Sequence, residues 1–261
     1  MRLGLVSYLV AAEMSLPEAL EICKKHGYGG LELRTTHRHG VEPSLSPAER
    51  AEVRRRFEDS GVRLWGLGTT CEFHALEQEV LRSNIETARQ FIRLAHDVGA
   101  VGVKVRPNGL HTRTGVPAER TLEQIGKAYA EVGRMGQDQG VELWMEVHGP
   151  ETSSPEAIRR IIDVAAHPNC LVCWNSNPTD LDPSGGIDRS FALLAPWIRS
   201  CHINELTNRA YPYRRLFDLL RKNGYGDRFT LAEIPGTKDP DRFLPYYRAL
   251  WDELAGEGPR R

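Results

Sequence analysis

The 261-residue chain reads as an α/β protein, a single (β/α)8 TIM barrel, and three observations carry that expectation. Short apolar or β-branched runs alternate eight times with longer amphipathic segments, and eight is the number of parallel strands that closes a barrel. Glycines mark the ends of helical segments. Polar residues recur on one face of successive strands, toward their carboxyl ends, where a packed barrel holds charges chiefly to line a site.

The first strand, 2–8 (RLGLVSY), precedes a helix over 16–27, and the second, 29–34 (GGLELR), one over 47–60. Ser46-Pro47 supplies a cap and then a proline at the first helical position, and Ser154-Pro155 repeats this for the fifth helix. The third strand, 62–68 (VRLWGLG), leads to a helix over 77–98, and the fourth, 100–106 (AVGVKVR), to one over 118–138. The fifth, 141–147 (VELWMEV), is followed by a helix over 154–166, and the sixth, 170–175 (CLVCWN), by one over 188–195. The seventh, 198–204 (IRSCHIN), and eighth, 228–233 (RFTLAE), precede helices over 211–223 and 239–256. Gly27, Gly61, Gly99, Gly140 and Gly224 stand where a left-handed helix stop is needed. No low-complexity linker interrupts the series, so one domain is expected over 1–261.

Composition narrows the function. A net charge of -1 argues against a nucleic-acid partner. No apolar run reaches the roughly 18 residues of a membrane span, and the opening residues lack the flanks of a signal peptide, so the expected location is cytoplasmic. Five cysteines make no disulfide framework, and Cys170 and Cys173, inside an apolar strand, read as structural thiols.

Alternation places candidate site residues. Val101, Val103 and Val105 form the apolar face of the fourth strand, leaving Lys104 and Arg106 inward, and Glu32 and Arg34 share the inward face of the second. Glu146 and His148 are inward on the fifth, and His202 on the seventh. Glu146, Asn175, His202 and Glu233 end four strands, roughly 30 residues apart, and would meet on the carboxyl-end face. Their donor atoms suit one divalent ion (Mn, Mg, Co or Zn). Asn175 is neutral, so weaker binding is expected than from an aspartate. Glu146 and Glu233 are the expected catalytic pair, moving a proton from one carbon to a neighbouring carbon or to the opposite face through an enediolate.

Arg34, Lys104, Arg106, His148 and Asn177 are candidates for substrate binding. The three cations suit an anionic or polyhydroxylated ligand, or neutralise Glu32, Glu146 and Glu233. Loop histidines His37, His39, His74 and His111 and the aspartates Asp180 and Asp182 read as solvated. Phe73 and Trp174 are candidates for an apolar wall, with core packing the stronger role for Trp174.

With these residues in place the chain resembles the xylose isomerase-like TIM-barrel superfamily of sugar phosphate isomerases and epimerases. The resemblance rests on GYGGLELR, MEVH, CHIN, YPYRRLFDLLRKNGYGDRFTLAE and the closing Glu233. It implies a metal site of Glu146, Asn175, His202 and Glu233, with the glutamates as the acid/base pair of a ketose 3-epimerase. Two positions depart from the pattern: Asn175 replaces an aspartate, and Pro178 stands where a histidine is common. The expected partner is a small carbohydrate: a sugar, sugar acid, inosose or sugar phosphate. The resemblance also favours a homo-oligomer, dimer or tetramer. Two alternatives are an inactive sugar-binding or regulatory barrel, suggested by Asn175, and an endonuclease IV-type DNA-repair enzyme, which needs a three-zinc cluster.

Overall fold

In the computed structural model, which describes residues 1–256, eight parallel strands close into one barrel in sequence order, with the last pairing back onto the first. The strands are β1 (Arg2–Val6), β2 (Gly30–Arg34), β3 (Arg63–Glu72), β4 (Gly102–Arg106), β5 (Glu142–Glu146), β6 (Cys170–Asn175), β7 (Ile198–Ile203) and β8 (Phe229–Ala232). Outside them lie α1 (Leu16–His26), α2 (Pro47–Ser60), α3 (Gln78–Val98), α4 (Ala118–Asp138), α5 (Pro155–Ala165), α6 (Asp188–Leu194), α7 (Tyr213–Lys222) and α8 (Pro240–Leu254). No helix among the described residues is long and apolar enough to cross a membrane.

The local signals act as their chemistry requires. Ser46 caps α2 in a reciprocal box with Glu49, whose carboxylate accepts from the Ser46 amide at 2.8 Å. Gly27 and Gly99 close α1 and α3 at φ 74° and 77°, a conformation that costs a residue with a Cβ. Among the expected boundaries that move, two have a clear local cause. β3 runs on to Glu72, because the β-branched pair Thr69-Thr70 keeps the chain extended and Glu72 pairs with Arg106 beyond a register shift. α7 begins at Tyr213 rather than 211, since Pro212, at ψ 66°, lies outside helical geometry.

Alternation divides the core in two. Leu31, Leu33, Val103, Val105, Leu143, Met145, Val172, Trp174, Cys201 and Ile203 join the helices in the outer layer. Val6, Trp65, Trp144, Leu171, Cys173, Phe229 and Leu231 fill the barrel. Val101, grouped by alternation with Val103, instead packs on this inner cluster, because it precedes the strand. The amino-terminal end of the barrel is plugged by stacked Trp65 and Trp144, with ring centroids 5.5 Å apart, and by Phe229 edge-on to Trp65. Gly66 and Gly102 make room for the Trp144 ring, since a Cβ on either would fall 2.6 or 2.5 Å from it. Below the plug Arg228 pairs with Glu142 at 2.7 Å. This floor leaves the opposite, carboxyl end for polar side chains.

Candidate active site

The carboxyl-end face carries the backbone strain as well as the charges. Leu9, Thr36, Asn108, His111 and Glu151, non-glycine residues at φ between 61° and 69°, all lie in loops that follow strands. Such conformations persist where surrounding structure enforces them, and they concentrate at functional sites.

Within this face, Glu146, His202 and Glu233 each offer a ligand atom, all within 4.8 Å of one another. Parallel register sets the positions: Glu146 pairs with Cys173, Asn175 with His202, and His202 with Leu231, two residues before Glu233. His202 is fully buried. Its Nε2 lies 3.1 Å from Glu32 Oε2, while its Nδ1 lies 3.3 Å from Glu146 Oε1 and 3.4 Å from Glu233 Oε2. Glu32 is thus the acceptor that holds the ring, an assignment strand alternation alone did not make. With the Nε2 proton given to Glu32, Nδ1 faces two carboxylates lone pair to lone pair, which requires a proton or a cation between them. Burial opposes charge on the ring, yet Cys173, Glu32 and Glu233 draw its pKa well above the ordinary value.

Asn175 is buried beside this cluster. Its amide nitrogen is 3.4 Å from Glu146 Oε1, and its Oδ1 has no hydrogen-bond partner. Two carboxylates, an imidazole nitrogen and an orphaned amide oxygen form a donor set that fits one divalent ion. The described residues gather one such ligand group, not the several that a three-zinc centre needs.

Lys104 complicates the site. Its ammonium, also buried, donates to Glu146 Oε2 at 2.7 Å. Burial disfavours the ammonium, but Glu146, Glu32 and Glu233 outweigh it and raise its pKa. Burial likewise works against the Glu146 carboxylate, and Lys104 and His202 reverse this to hold it well below the usual range. Glu233 is the more accessible acid, its side chain 19% exposed against 2% for Glu146. Its carboxyl is also lowered, His202 overcoming burial.

The other predicted residues spread over the rim. Arg106 pairs with Glu72, which also accepts from Asn108, and His148 Nδ1 lies 2.6 Å from Asn108 Oδ1. Burial lowers the His148 pKa, which keeps the ring neutral. Arg34 lies over the Tyr8 ring at 5.9 Å and makes no ion pair among the described residues. Asn177 is occupied locally: its amide donates to the Val147 carbonyl at 2.6 Å and its backbone N–H to Asp180.

Several loop expectations need correction. Asp180 is fully buried rather than solvated, accepting from Tyr211 Oη at 2.7 Å, and burial raises its pKa to about 7. Asp182, by contrast, stays unburied as expected, accepting from the Ser184 and Gly186 amides of its own loop. His39 is buried between the Arg34 carbonyl and the Val41 amide. Phe73 and Trp174 both lie in the outer core, and Trp174 donates to Tyr211 Oη, so neither walls the mouth. Glu72 and Asn108 were not anticipated, because β3 was expected to end before Glu72 and Asn108 lies beyond the strand.

A sequence profile of the xylose isomerase-like TIM barrel family matches residues 20–250, and the chain belongs to that family. No curated protein matches it in sequence. Among solved structures, D-psicose 3-epimerase, determined in the presence of D-fructose, superposes with a TM-score of 0.80 at 14% identity, covering 98% of this chain and 100% of that one. L-ribulose 3-epimerase gives 0.79 at 17%, with 98% and 95% covered. The IolI protein with a bound zinc atom gives 0.79 at 14%, with 98% and 99% covered. At such identities the likeness is one of fold.

Proposed function

We propose that this chain is a divalent-metal-dependent isomerase or epimerase of a small sugar, sugar acid, inosose or sugar phosphate. The observation that carries the reading is the convergence of Glu146, His202 and Glu233 within 4.8 Å, beside the orphaned Asn175 Oδ1. Its fold neighbours include two sugar epimerases and a zinc-bound protein, which supports the same direction.

Glu146, Asn175, His202 and Glu233 would hold the ion. When bound, it would polarise the substrate's carbonyl and hydroxyl oxygens and acidify the adjoining carbon–hydrogen bond. Glu233, the accessible acid, takes that proton. Return to the same carbon from the other face gives an epimer, and return to the neighbouring carbon gives an isomer. Glu146, on β5, is the partner group for return from the other face, and the Lys104 ammonium that donates to its Oε2 supplies the proton it delivers. Arg34, Arg106 and His148 orient the substrate at the rim.

Incubation with a panel of ketoses and inososes in deuterated water, followed by NMR, tests this route. The expected result is turnover with deuterium at the reacting carbon, abolished in Glu146→Gln and Glu233→Gln. Turnover without deuterium would point to a hydride shift instead. A second reading, an inactive sugar-binding barrel, is favoured by the neutral Asn175 and by Lys104, which already satisfies one Glu146 oxygen. Sugar binding with neither turnover nor exchange across the panel would select it.

A further inference from the structure

The cations at the mouth do not all balance the acids beneath them. Lys104 is paired with Glu146, Arg106 is held through one nitrogen by Glu72, and Glu32 gives one oxygen to His202. Arg34 is left without an ion pair among the described residues. Its Nη1 and the Nε of Arg106 are buried and have no hydrogen-bond partner. Burial of a guanidinium N–H without an acceptor is costly, so two in one mouth call for an explanation.

The strands bring these two groups to one opening. Arg34 pairs in register with Gly68 on β3, and Gly68 with Lys104 on β4, so three neighbouring strands present Arg34, a glycine and Lys104 at one level. A Cβ at Gly68 would fall 2.7 Å from Glu32 Oε1, so that strand contributes no side chain between its neighbours. Arg106 stands two residues further along β4. Burial depresses the Arg34 pKa, and the nearby Arg106 charge adds to the effect. Two neighbouring guanidinium groups, one of them without an ion pair among the described residues and each with an idle buried N–H donor, are suited to receive an anion.

We infer that Arg34 and Arg106 receive an acid group of the substrate, a carboxylate or a phosphate, so that the natural substrate is an anionic sugar derivative rather than a neutral sugar. This rests on the isomerase or epimerase reading for the identity of the reacting end. Lys104, level with Arg34, touches Glu146, so the acid group and the reacting carbon meet the same carboxyl-end face. The exposed Tyr8 ring, stacked with His37, borders Arg34 and offers a flat face to the carbon chain between them.

Calorimetric binding of matched pairs tests the inference: D-ribulose against D-ribulose 5-phosphate, and D-fructose against D-fructuronate. The acidic member is expected to bind about tenfold to a hundredfold more tightly, as for hydrogen bonds to charged groups. Arg34→Gln should remove most of that preference, bringing the affinities of the two members of each pair to within about twofold of each other. Arg34→Lys should restore part of it, because the charge returns without the planar fork. A preference for the phosphate alone or the carboxylate alone identifies the acid group. Equal affinity within each pair, or a preference that survives Arg34→Gln, overturns the inference. Acid-dependent binding without turnover would leave it standing and remove the isomerase reading. Turnover of a neutral sugar with no preference for its acidic counterpart would do the reverse.

Discussion

If the proposed metal site is right, Asn175 and Lys104 are the residues that set its strength. An aspartate at 175 would place an anion where a neutral amide oxygen now lacks a partner, so Asn175→Asp should tighten Mn binding about tenfold or more in a calorimetric titration. Unchanged affinity would place residue 175 outside the ligand set. Lys104→Met removes the only ammonium bonded to Glu146 among the described residues and leaves buried carboxylates uncompensated. The metal-free protein should lose about 3–5 kcal/mol of stability, and Mn should raise the variant's melting temperature more than the wild type's. Equal Mn-induced shifts would show that Lys104 does not compete for that carboxylate. Asp180 gives a pH prediction of a different kind. Its folded pKa of about 7 lies above its unfolded value near 3.8, so the folded chain binds the proton more tightly. Its contribution is therefore favourable below the unfolded pKa and is lost as pH rises toward 7, on the order of 4 kcal/mol in all. Asp180→Asn can still accept from Tyr211 and Asn177, and should raise the melting temperature at pH 8 with little effect near pH 4. A pH-independent difference would contradict this titration.

At the scale of the element, the strands do two jobs: their amino ends build an apolar floor and their carboxyl ends a charged mouth. The floor depends on missing side chains. Gly102→Ala would drive a methyl into the Trp144 ring, and a loss of about 1–3 kcal/mol is expected in denaturant titration. A neutral effect would mean that the Trp65–Trp144 stack can shift. Strand alternation made much of this legible in advance. Glu32, Arg34, Lys104, Glu146 and His202 were placed inward from sequence, because apolar neighbours at alternate positions must face the helices. Alternation does not report partners, so neither the Glu32–His202 contact nor the Lys104–Glu146 pair could be read from it. Loops were less legible still. Asp180 looked solvated because Pro178 and Asp182 surround it with turn chemistry, yet Tyr211, from a distant segment, buries it.

At the scale of the whole molecule, barrel closure turns residues far apart in sequence into one site. Glu32 on β2 and His202 on β7 come within 3.1 Å only because β8 pairs back onto β1. The eightfold repeat was visible in the sequence because each strand–helix unit carries its own apolar period and stop signal. The substrate was not, since one barrel hosts many reactions through its loops. The central claim is that this closed face holds a divalent ion between Glu146, Asn175, His202 and Glu233. Anomalous diffraction from crystals soaked in manganese addresses it most directly. The account predicts one strong peak within about 2.5 Å of a Glu146 oxygen, a His202 nitrogen and a Glu233 oxygen. No peak there at saturating manganese, with Lys104 still on Glu146 and a proton between His202 and its carboxylates, would contradict it.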